Sequence, residues 1–315
     1  MKYAFVFPGQ GSQSIGMMGR FDDFPIVRET FGQASDILHQ DLWKLAAEGP
    51  ADALNQTVNT QPLMLAAGVA IYRAWTQLSA SRPAILAGHS LGEYSALVAS
   101  NAIAFEDALP LVRFRALSMQ EAVPEGTGGI AAVLGLEDDA VKEVCLAAAQ
   151  GEVLEAVNFN SPGQVVIAGH RDAVLRGMEA AKEAGAKRAI MLPMSVPSHC
   201  SLMKPAAQAL DDDLKNVRIG RPEISVLHNV DVKPHAEPET IRAALVNQLD
   251  HPVRWVETIR AIFGEGIGQA AECGPGKVLA GLNKRIEPAQ IVLALTDGAA
   301  LRGAADTLNK EGGAC

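Results

Sequence analysis

The segment with the clearest chemical meaning is Gly88-His89-Ser90-Leu91-Gly92, which has the G-x-S-x-G spacing of a nucleophile elbow. A short apolar strand pattern precedes it, and a helical pattern follows it. The two glycines permit a tight turn that lifts the Ser90 hydroxyl above a sheet and places it at a helix N-terminus. Unpaired backbone N–H groups there, the first being that of Leu91, can stabilise an oxyanion. The segment predicts a serine nucleophile; a glycine-flanked turn with an idle serine is the alternative.

A second glycine-rich segment, Phe7-Pro8-Gly9-Gln10-Gly11-Ser12-Gln13, follows a strand pattern at residues 3–7. Glycine has no Cβ atom, so the backbone of such a loop can approach a ligand closely. An oxyanion hole needs two donors from separate loops, and the backbone N–H of Gln10 is the candidate for the second. From these residues alone, a plain turn or a phosphate-binding loop remains an alternative, although the Gly-Lys-Ser/Thr of a Walker loop is missing.

Strand and helix patterns alternate along most of the chain, which indicates a mainly parallel sheet with helices on its faces. Strands are predicted at residues 3–7, 84–87, 224–227 and 269–273. Helices are predicted at residues 24–39, 62–78, 91–100, 105–121, 202–216, 239–249 and 253–263.

The middle of the chain has a different order of elements. Strands are predicted at residues 130–134, 154–158, 164–168 and 189–192, and helices at 138–149 and 172–184. This β-α-β-β-α-β order is that of a ferredoxin-like unit. We therefore predict an α/β fold in which residues 1–126 and 196–315 form a discontinuous larger domain, with residues 127–195 inserted as a ferredoxin-like subdomain.

Charge, hydropathy and cysteine spacing argue against several classes of function. The formal net charge is −9, and nucleic-acid binders are normally basic, so no nucleic-acid partner is expected. No apolar run approaches the ~20 residues that span a bilayer, and no signal-peptide pattern begins the chain, so no membrane association is expected. The cysteines at 145, 200, 273 and 315 lack metal-ligand spacing. They predict no metal site and no disulfide framework, and they favour a cytoplasmic location.

Together, the two glycine-rich segments resemble those of the malonyl-CoA:acyl carrier protein transacylases. Further matching segments run along nearly the whole chain: Gln61-Pro62, Arg115 with Met119-Gln120, Asn158–Gln164, Pro197-Ser198-His199, Asn229-Val230-Asp231 and Gly274–Lys277. The resemblance implies an α/β-hydrolase-like core with a ferredoxin-like insertion, in agreement with the predicted order of elements.

The resemblance also implies a mechanism. Ser90 would attack the thioester of malonyl-CoA, with His199 as general base. The backbone N–H groups of Gln10 and Leu91 would form the oxyanion hole. The phosphopantetheine thiol of acyl carrier protein would then attack the malonyl-serine. Malonyl-CoA and acyl carrier protein would be the partners of a monomeric enzyme with no cofactor of its own.

Two further residues receive substrate-binding roles from the resemblance. Arg115 would select malonyl by binding its free carboxylate, which acetyl lacks. Taken alone, a helical arginine is more often a surface residue, and Arg113 is a nearby competitor on another face of the same helix. Asn160 lies in a turn-rich segment between two predicted strands, where the resemblance implies a supporting role near the site and turn chemistry is the alternative.

The environment of His199 has its own competing interpretations. A lone histidine is commonly structural, and Cys200, its neighbour, is a weaker candidate nucleophile. The resemblance implies that the main-chain carbonyl of Gln248 holds the histidine N–H. An interpretation as a hydrolase would instead nominate the carboxylate of Asp250. The pair Asp250-His251 departs from the family pattern, so its role stays open.

Malonyl transfer to acyl carrier protein for fatty acid synthesis is the function that the resemblance implies. A freestanding acyltransferase of a polyketide synthase or of malonate decarboxylase has similar motifs. A serine esterase or thioesterase is a rival from another class, although many of these carry an HGGG-type loop where this chain has Phe-Pro-Gly-Gln-Gly. A non-catalytic carrier-protein docking module would not need the serine and histidine.

Overall fold

Two β-sheets organise the chain, and the computed structural model describes residues 2–194 and 196–310. The strands, in chain order, are β1 (Ala4–Phe7), β2 (Ile85–Gly88), β3 (Gly128–Leu134), β4 (Leu154–Ser161), β5 (Gln164–His170), β6 (Arg188–Met191), β7 (Ser225–Leu227), β8 (Gln269–Glu272) and β9 (Ile291–Ala294). Met1, Ser195 and residues 311–315, which the predicted domain boundaries include, lie outside the described residues.

The helices fill the intervals between these strands. They are α1 (Pro25–Leu38), α2 (Leu42–Glu48), α3 (Ala51–Asn55), α4 (Thr57–Leu78), α5 (Gly92–Ala99), α6 (Phe105–Glu121), α7 (Asp138–Ala149), α8 (Arg171–Glu183), α9 (Lys204–Leu214), α10 (Pro238–Asn247), α11 (Trp255–Gly264), α12 (Val278–Ile286) and α13 (Gly298–Lys310). Within the described part of the chain, none of them is long and apolar enough to span a membrane.

The larger sheet is parallel, with the strand order β7-β2-β1-β8-β9. Strand alternation sends the side chains of Phe5 and Phe7 into the core on one face and those of Ala4 and Val6 into the core on the other. β1 and β2 pair in a register that sets Phe7 beside Gly88. The two glycine-rich loops therefore leave the same edge of the sheet side by side, which is the arrangement that an oxyanion hole requires.

The smaller sheet is antiparallel, with the order β4-β5-β3-β6. Together with α7 and α8 it has the connectivity of a ferredoxin-like unit. One face packs on these helices, and the other carries Ile130 and Val166 in a cluster with Cys200 of the larger part. The predicted fold class, a parallel α/β core with a ferredoxin-like unit, is confirmed.

Several elements differ from their predicted positions. Helix α4 begins at Thr57, five residues before the predicted start at 62, and contains Pro62 in its second turn. The short helices α2 and α3 were not predicted, and neither were the three elements after residue 276, which are α12, β9 and α13. Asn160 lies within β4 and not in the turn, which consists of Pro162 and Gly163. Strand pairing with β5 continues to Ser161 and overrides the local turn propensity of this segment.

Candidate active site

The turn around Ser90 is closed by backbone atoms packed too tightly for any side chain. A Cβ atom on Gly88 would lie 1.9 Å from the carbonyl carbon of Gly92, and one on Gly92 would lie 2.0 Å from the oxygen of Phe7. A Cβ atom on Gly9 would lie 2.5 Å from the oxygen of His89. Ser90 itself has φ +51°, in the left-handed region that L-residues rarely adopt. The elbow predicted from the motif is therefore present in its strained form.

Ser90 and His199 form a hydrogen-bonded pair. The Ser90 Oγ lies 2.7 Å from Nε2 of His199, whose Nδ1 lies 2.7 Å from the carbonyl oxygen of Gln248. Because a carbonyl only accepts, Nδ1 carries the proton and the Nε2 lone pair faces the serine hydroxyl. The backbone at His199 is also fixed, with φ +67° and a hydrogen bond from its N–H to the oxygen of Leu249. This is the geometry of a serine activated by a neutral base.

Asp250 does not contact this histidine. Its Oδ1 lies 2.7 Å from Nδ1 of His251, an exposed residue. The carbonyl of Gln248 already occupies the position where a triad acid would be.

We expect Asp250→Asn to lower the predicted acyl transfer by no more than a few-fold, because the backbone carbonyl orients His199 whatever the side chain at 250. Steady-state kinetics of the variant beside the parent enzyme measure this. A loss near the ~10⁴-fold that follows neutralisation of a true triad acid would contradict the assignment. The matched change His251→Asn removes the other half of the Asp250–His251 pair and should be equally mild.

Two backbone donors are available at the serine. Among the described residues, neither the N–H of Gln10 nor that of Leu91 has a hydrogen-bond partner. A Cβ placed on Gly9 would lie only 3.6 Å from the nitrogen of Leu91, so the two loops meet beside the serine. The side chain of Gln10 is held by Thr57 at the start of α4, with Nε2 3.3 Å from its Oγ1. The geometry suits the predicted oxyanion hole.

Arg115 is buried beside the serine, with 1% of its surface exposed. Its Nη1 donates to Oε1 of Gln61 at 2.8 Å, and its Nη2 donates to Oε1 of Gln248 at 2.9 Å and to Oγ of Ser90 at 3.3 Å. The competitor Arg113 points elsewhere, to Oε1 of Gln40. The arrangement leaves a cation facing the nucleophile.

A cavity of about 170 Å³ connects these groups. Its walls come from the loops and helices around the larger sheet and from the smaller sheet itself, which contributes Ile130, Asn160 and Val166. Asn160 Oδ1 lies 2.8 Å from Nε2 of His89, and burial lowers the pKa of that histidine. A larger groove of about 830 Å³ lies between α4 and the end of α5, and neither Ser90 nor His199 lines it. The smaller cavity contains the Ser90–His199 pair and is therefore the candidate site.

Three functional neighbours of the serine received no role from the sequence. The side-chain amide of Asn229 accepts from the backbone N–H of Ser90 at 2.7 Å and donates to the carbonyl oxygen of Gly88 at 2.6 Å. It therefore fixes the backbone of the elbow on both sides of His89. Glu93 and His228, both fully buried, lie behind it with Glu93 Oε1 2.7 Å from Nδ1 of His228. Asn229 lies in a segment that carries the family resemblance and Glu93 directly follows the elbow motif, and these positions were their only signals.

Burial controls the ionisation of two groups near the serine. Burial and, next, the positive charge of Arg115 lower the pKa of His199 from 6.5 to about 3. Burial also raises the pKa of the Cys200 thiol to about 12, so this thiol is not a competing nucleophile at neutral pH. His199 is consequently a neutral base over the whole physiological range.

We expect the rate at which the neutral reagent phenylmethylsulfonyl fluoride inactivates the enzyme to change less than about twofold between pH 5 and 7.5. If His199 had the ordinary pKa, it would be mostly protonated at pH 5, and the inactivation rate would fall roughly 30-fold from pH 7.5 to pH 5. Arg115→Gln removes the nearby positive charge, so it should raise the pKa of His199 and move the pH at which inactivation slows to a higher value. A midpoint near pH 6.5 in the parent enzyme would contradict a neutral buried base. The unfolded chain binds this proton below about pH 6.5 and the folded chain does not, so stability falls as the pH drops towards 3.

Known proteins share both the sequence and the fold. Residues 4–285 match the family model described as an acyl transferase domain. The malonyl CoA-acyl carrier protein transacylase of Salmonella typhimurium is 53% identical over 304 residues, which cover 96% of this chain and 98% of that protein. The acyl-carrier-protein S-malonyltransferase of Burkholderia pseudomallei 1710b superposes with a TM-score of 0.95 at 56% identity, covering 97% of this chain and all of that one.

A third relative was solved with its partner. It is a malonyl-transacylase in complex with the acyl-carrier protein of a type II polyketide synthase, with a TM-score of 0.96 and 51% identity, covering 98% of this chain and 100% of that chain. The matches extend over almost the entire chain and include every segment that forms the Ser90 site. The chain therefore belongs to the acyl transferase family and, within it, to the malonyl CoA-acyl carrier protein transacylases.

Proposed function

We propose that this chain transfers the malonyl group of malonyl-CoA to the phosphopantetheine thiol of acyl carrier protein through a malonyl-Ser90 intermediate, and so supplies fatty acid synthesis. The observation that carries the proposal is the buried Arg115 cation, whose Nη2 lies 3.3 Å from the Oγ of a serine that also contacts a histidine. A malonyl group bound to that serine carries its free carboxylate two bonds beyond the ester carbonyl carbon, within reach of the guanidinium.

In the first half-reaction, Ser90 Oγ attacks the thioester carbonyl while its proton moves to Nε2 of His199. The negative charge that forms on the carbonyl oxygen is stabilised by the N–H groups of Gln10 and Leu91. When the tetrahedral intermediate collapses, the C–S bond breaks and His199 returns the proton to the departing thiolate of coenzyme A. The carrier-protein thiol then repeats these steps in reverse and releases Ser90.

The orientation of His199 by a carbonyl favours transfer of the acyl group of a thioester over hydrolysis of an ester or amide. A carbonyl fixes the tautomer as a carboxylate does, but it adds no full negative charge to stabilise the imidazolium. That weaker support suffices for a thioester, because a thiolate is a good leaving group. An esterase role is therefore disfavoured, whereas a thioesterase, which also acts on a thioester, is distinguished by the assay that follows.

The proposal is tested by incubating the protein with malonyl-CoA and, separately, with acetyl-CoA, each with and without acyl carrier protein. Mass spectrometry then locates the acylated residue. We expect malonyl on Ser90 in the absence of carrier protein and on the phosphopantetheine when it is added. Release of free malonate, with no transfer to the carrier protein, would show a hydrolase instead.

A polyketide carrier protein is the second candidate acceptor. The 51% identical malonyl-transacylase that was solved with such a protein is the observation that favours it. Transfer assays with one carrier protein from each pathway, compared by kcat/KM, separate the two acceptors.

We propose that the carrier protein docks at a basic rim of the cavity. Lys187, Arg188, Lys284 and Arg285 are exposed. The pairing of Leu134 with both Gln164 and Arg188 brings the two basic pairs together, since Arg285 donates to Oε1 of Gln164 at 2.7 Å. Gln164 lines the cavity, so the patch borders the entrance.

Transfer to the acidic carrier protein should therefore weaken several-fold as ionic strength rises from about 0.05 to 0.5 M, because salt screens exposed charges. Transfer to free pantetheine, which carries no charge, is the control and should change little. Lys284→Glu should raise the KM for carrier protein and reduce the salt dependence. Equal rates at low and high salt would count against this docking site.

The division of the chain into residues 1–126 with 196–315 and an insertion at 127–195 is part of the proposal, supported by the two separate sheets. We further propose that the enzyme acts as a monomer in the cytoplasm. In support of the latter, Cys145, Cys200 and Cys273 are all free thiols in the described residues. Sedimentation of the purified protein and fractionation of cells test these two points.

A further inference from the structure

The hydrogen-bond partners of the Arg115 guanidinium are all uncharged. Within the described residues they are the amide oxygens of Gln61 and Gln248 and the hydroxyl of Ser90. A cation that is buried to this extent normally has a carboxylate against it, because removing a charge from water is costly. Some other feature of the protein must therefore hold this guanidinium in position without neutralising it.

A buried carboxylate, that of Glu93, is separated from Arg115 by the side chain of Gln248. Glu93 is fully buried, and three donors converge on it: His228 Nδ1 at 2.7 Å, the backbone N–H of Asn229 at 2.9 Å and Nε2 of Gln248 at 2.9 Å. A group surrounded only by donors has the surroundings of an ionised carboxylate. Glu93 directly follows the nucleophile motif in the chain, but its side chain does not contact the serine hydroxyl.

The side chain of Gln248 connects the two charges. Its Nε2 donates to Oε2 of Glu93 at 2.9 Å and to the carbonyl of Ser90 at 3.1 Å, while its Oε1 accepts from Nη2 of Arg115 at 2.9 Å. An amide has distinct donor and acceptor ends, and Glu93 is the strong acceptor that fixes which end faces which way. If the amide turned over, its NH₂ group would face the guanidinium and the Arg115 contact would become repulsive.

We propose that Glu93 is a positioning residue for acyl selection: through the side chain of Gln248, it holds Arg115 as a buried cation that stays unpaired until the substrate carboxylate binds. A carboxylate in direct contact with Arg115 would compete with malonyl, whereas a neutral amide between them keeps the charge in place without satisfying it. The negative charge of Glu93 also opposes the effect of burial, which lowers the pKa of Arg115. The inference rests on the proposed function, in which Arg115 binds the malonyl carboxylate.

The decisive quantity is the ratio of kcat/KM for malonyl-CoA to that for acetyl-CoA. Because both values use the same enzyme preparation, a partly unfolded sample lowers both and leaves the ratio unchanged. Glu93→Gln should lower the ratio roughly tenfold, the size expected for one charge-assisted hydrogen bond. Gln248→Met breaks the connection at its centre, keeps the backbone carbonyl that contacts His199, and should lower the ratio similarly.

Combining the two substitutions tests the route. If Glu93 acts through Gln248, adding Glu93→Gln to Gln248→Met should not lower the ratio any further. If the two substitutions lower the ratio by factors that multiply in the double variant, Glu93 does not act through Gln248. A Glu93→Gln ratio equal to that of the parent enzyme would also overturn the proposal. If Glu93→Gln does not fold, Glu93→Asp takes its place, because the shorter side chain withdraws the carboxylate from Gln248 and should also lower the ratio. An unchanged ratio in Glu93→Asp or in Gln248→Met would overturn the proposal.

His228→Asn is the matched control, because it touches the other oxygen of Glu93. It should lower the melting temperature and leave the ratio within about twofold of the parent. A fall as large as that of Glu93→Gln would reject the specific role of the Gln248 contact. The parent enzyme separates the two hypotheses: if it shows no preference for malonyl, the proposed function itself fails.

Discussion

Ser90→Ala is expected to abolish covalent malonylation and to reduce transfer to acyl carrier protein by a factor on the order of 10⁴ or more. The change removes one oxygen atom, which contacts both His199 Nε2 at 2.7 Å and Arg115 Nη2 at 3.3 Å. Alanine has the same Cβ as serine, so the turn at φ +51° acquires no new clash. Mass spectrometry after incubation with malonyl-CoA measures the loss directly.

The matched control is Cys200→Ala, since Cys200 directly follows His199 in the chain and is the competing candidate nucleophile. Its thiol is fully buried and donates to the carbonyl of Pro197, so the control should still be malonylated at Ser90. Melting temperatures of both variants should stay close to that of the parent enzyme. Malonyl attached to any residue other than Ser90 in the parent protein would contradict the assignment.

Arg115→Ala is expected to reduce malonyl transfer about 10- to 150-fold more than acetyl transfer. Hydrogen bonds to a charged group contribute roughly 1.5–3 kcal/mol, and every ~1.4 kcal/mol changes a rate by a factor of ten. Acetyl has no carboxylate, so this contribution is missing from its reaction. Parallel kinetics with the two thioesters measure the difference.

Arg113→Ala is the control for this second prediction. Arg113 lies on the same helix but contacts Gln40, away from the cavity, so its removal should affect both substrates equally. Arg115→Ala also leaves a cavity in the core. This cavity should lower the stability of the fold without changing the selectivity between malonyl and acetyl. An equal loss for malonyl and acetyl would assign Arg115 to a purely structural role.

The reaction-bearing serine was predictable from the sequence because its signals are local. The strand, the two glycines and the helix of the elbow are contiguous, and the parallel sheet followed from alternating patterns. By contrast, His199 and Gln248 lie 109 and 158 positions from Ser90, and only the family resemblance connected them to it. Distances of that kind depend on how the strands are ordered in the sheet, and no local pattern records that order.

The misplaced elements also have physical explanations. Pro62 is a common helix breaker, yet α4 includes it, because this stretch of the helix is buried on most of its surface and tertiary packing outweighs the lost hydrogen bond. The role of Glu93 was hidden for another reason, since a buried glutamate is rare and its partners come from two distant loops.

The contact distances at Gly9, Gly88 and Gly92 have a consequence for directed evolution. A methyl group at any of the three would occupy space within 2.5 Å of main-chain oxygen or carbon atoms, so mutational libraries should keep these codons fixed. Diversity belongs instead on the part of the cavity wall that the smaller sheet and the segment after it form, at positions such as Ile130, Val166 and Met194. New acyl donors are therefore most accessible by reshaping the ferredoxin-like unit while the catalytic loops are inherited unchanged.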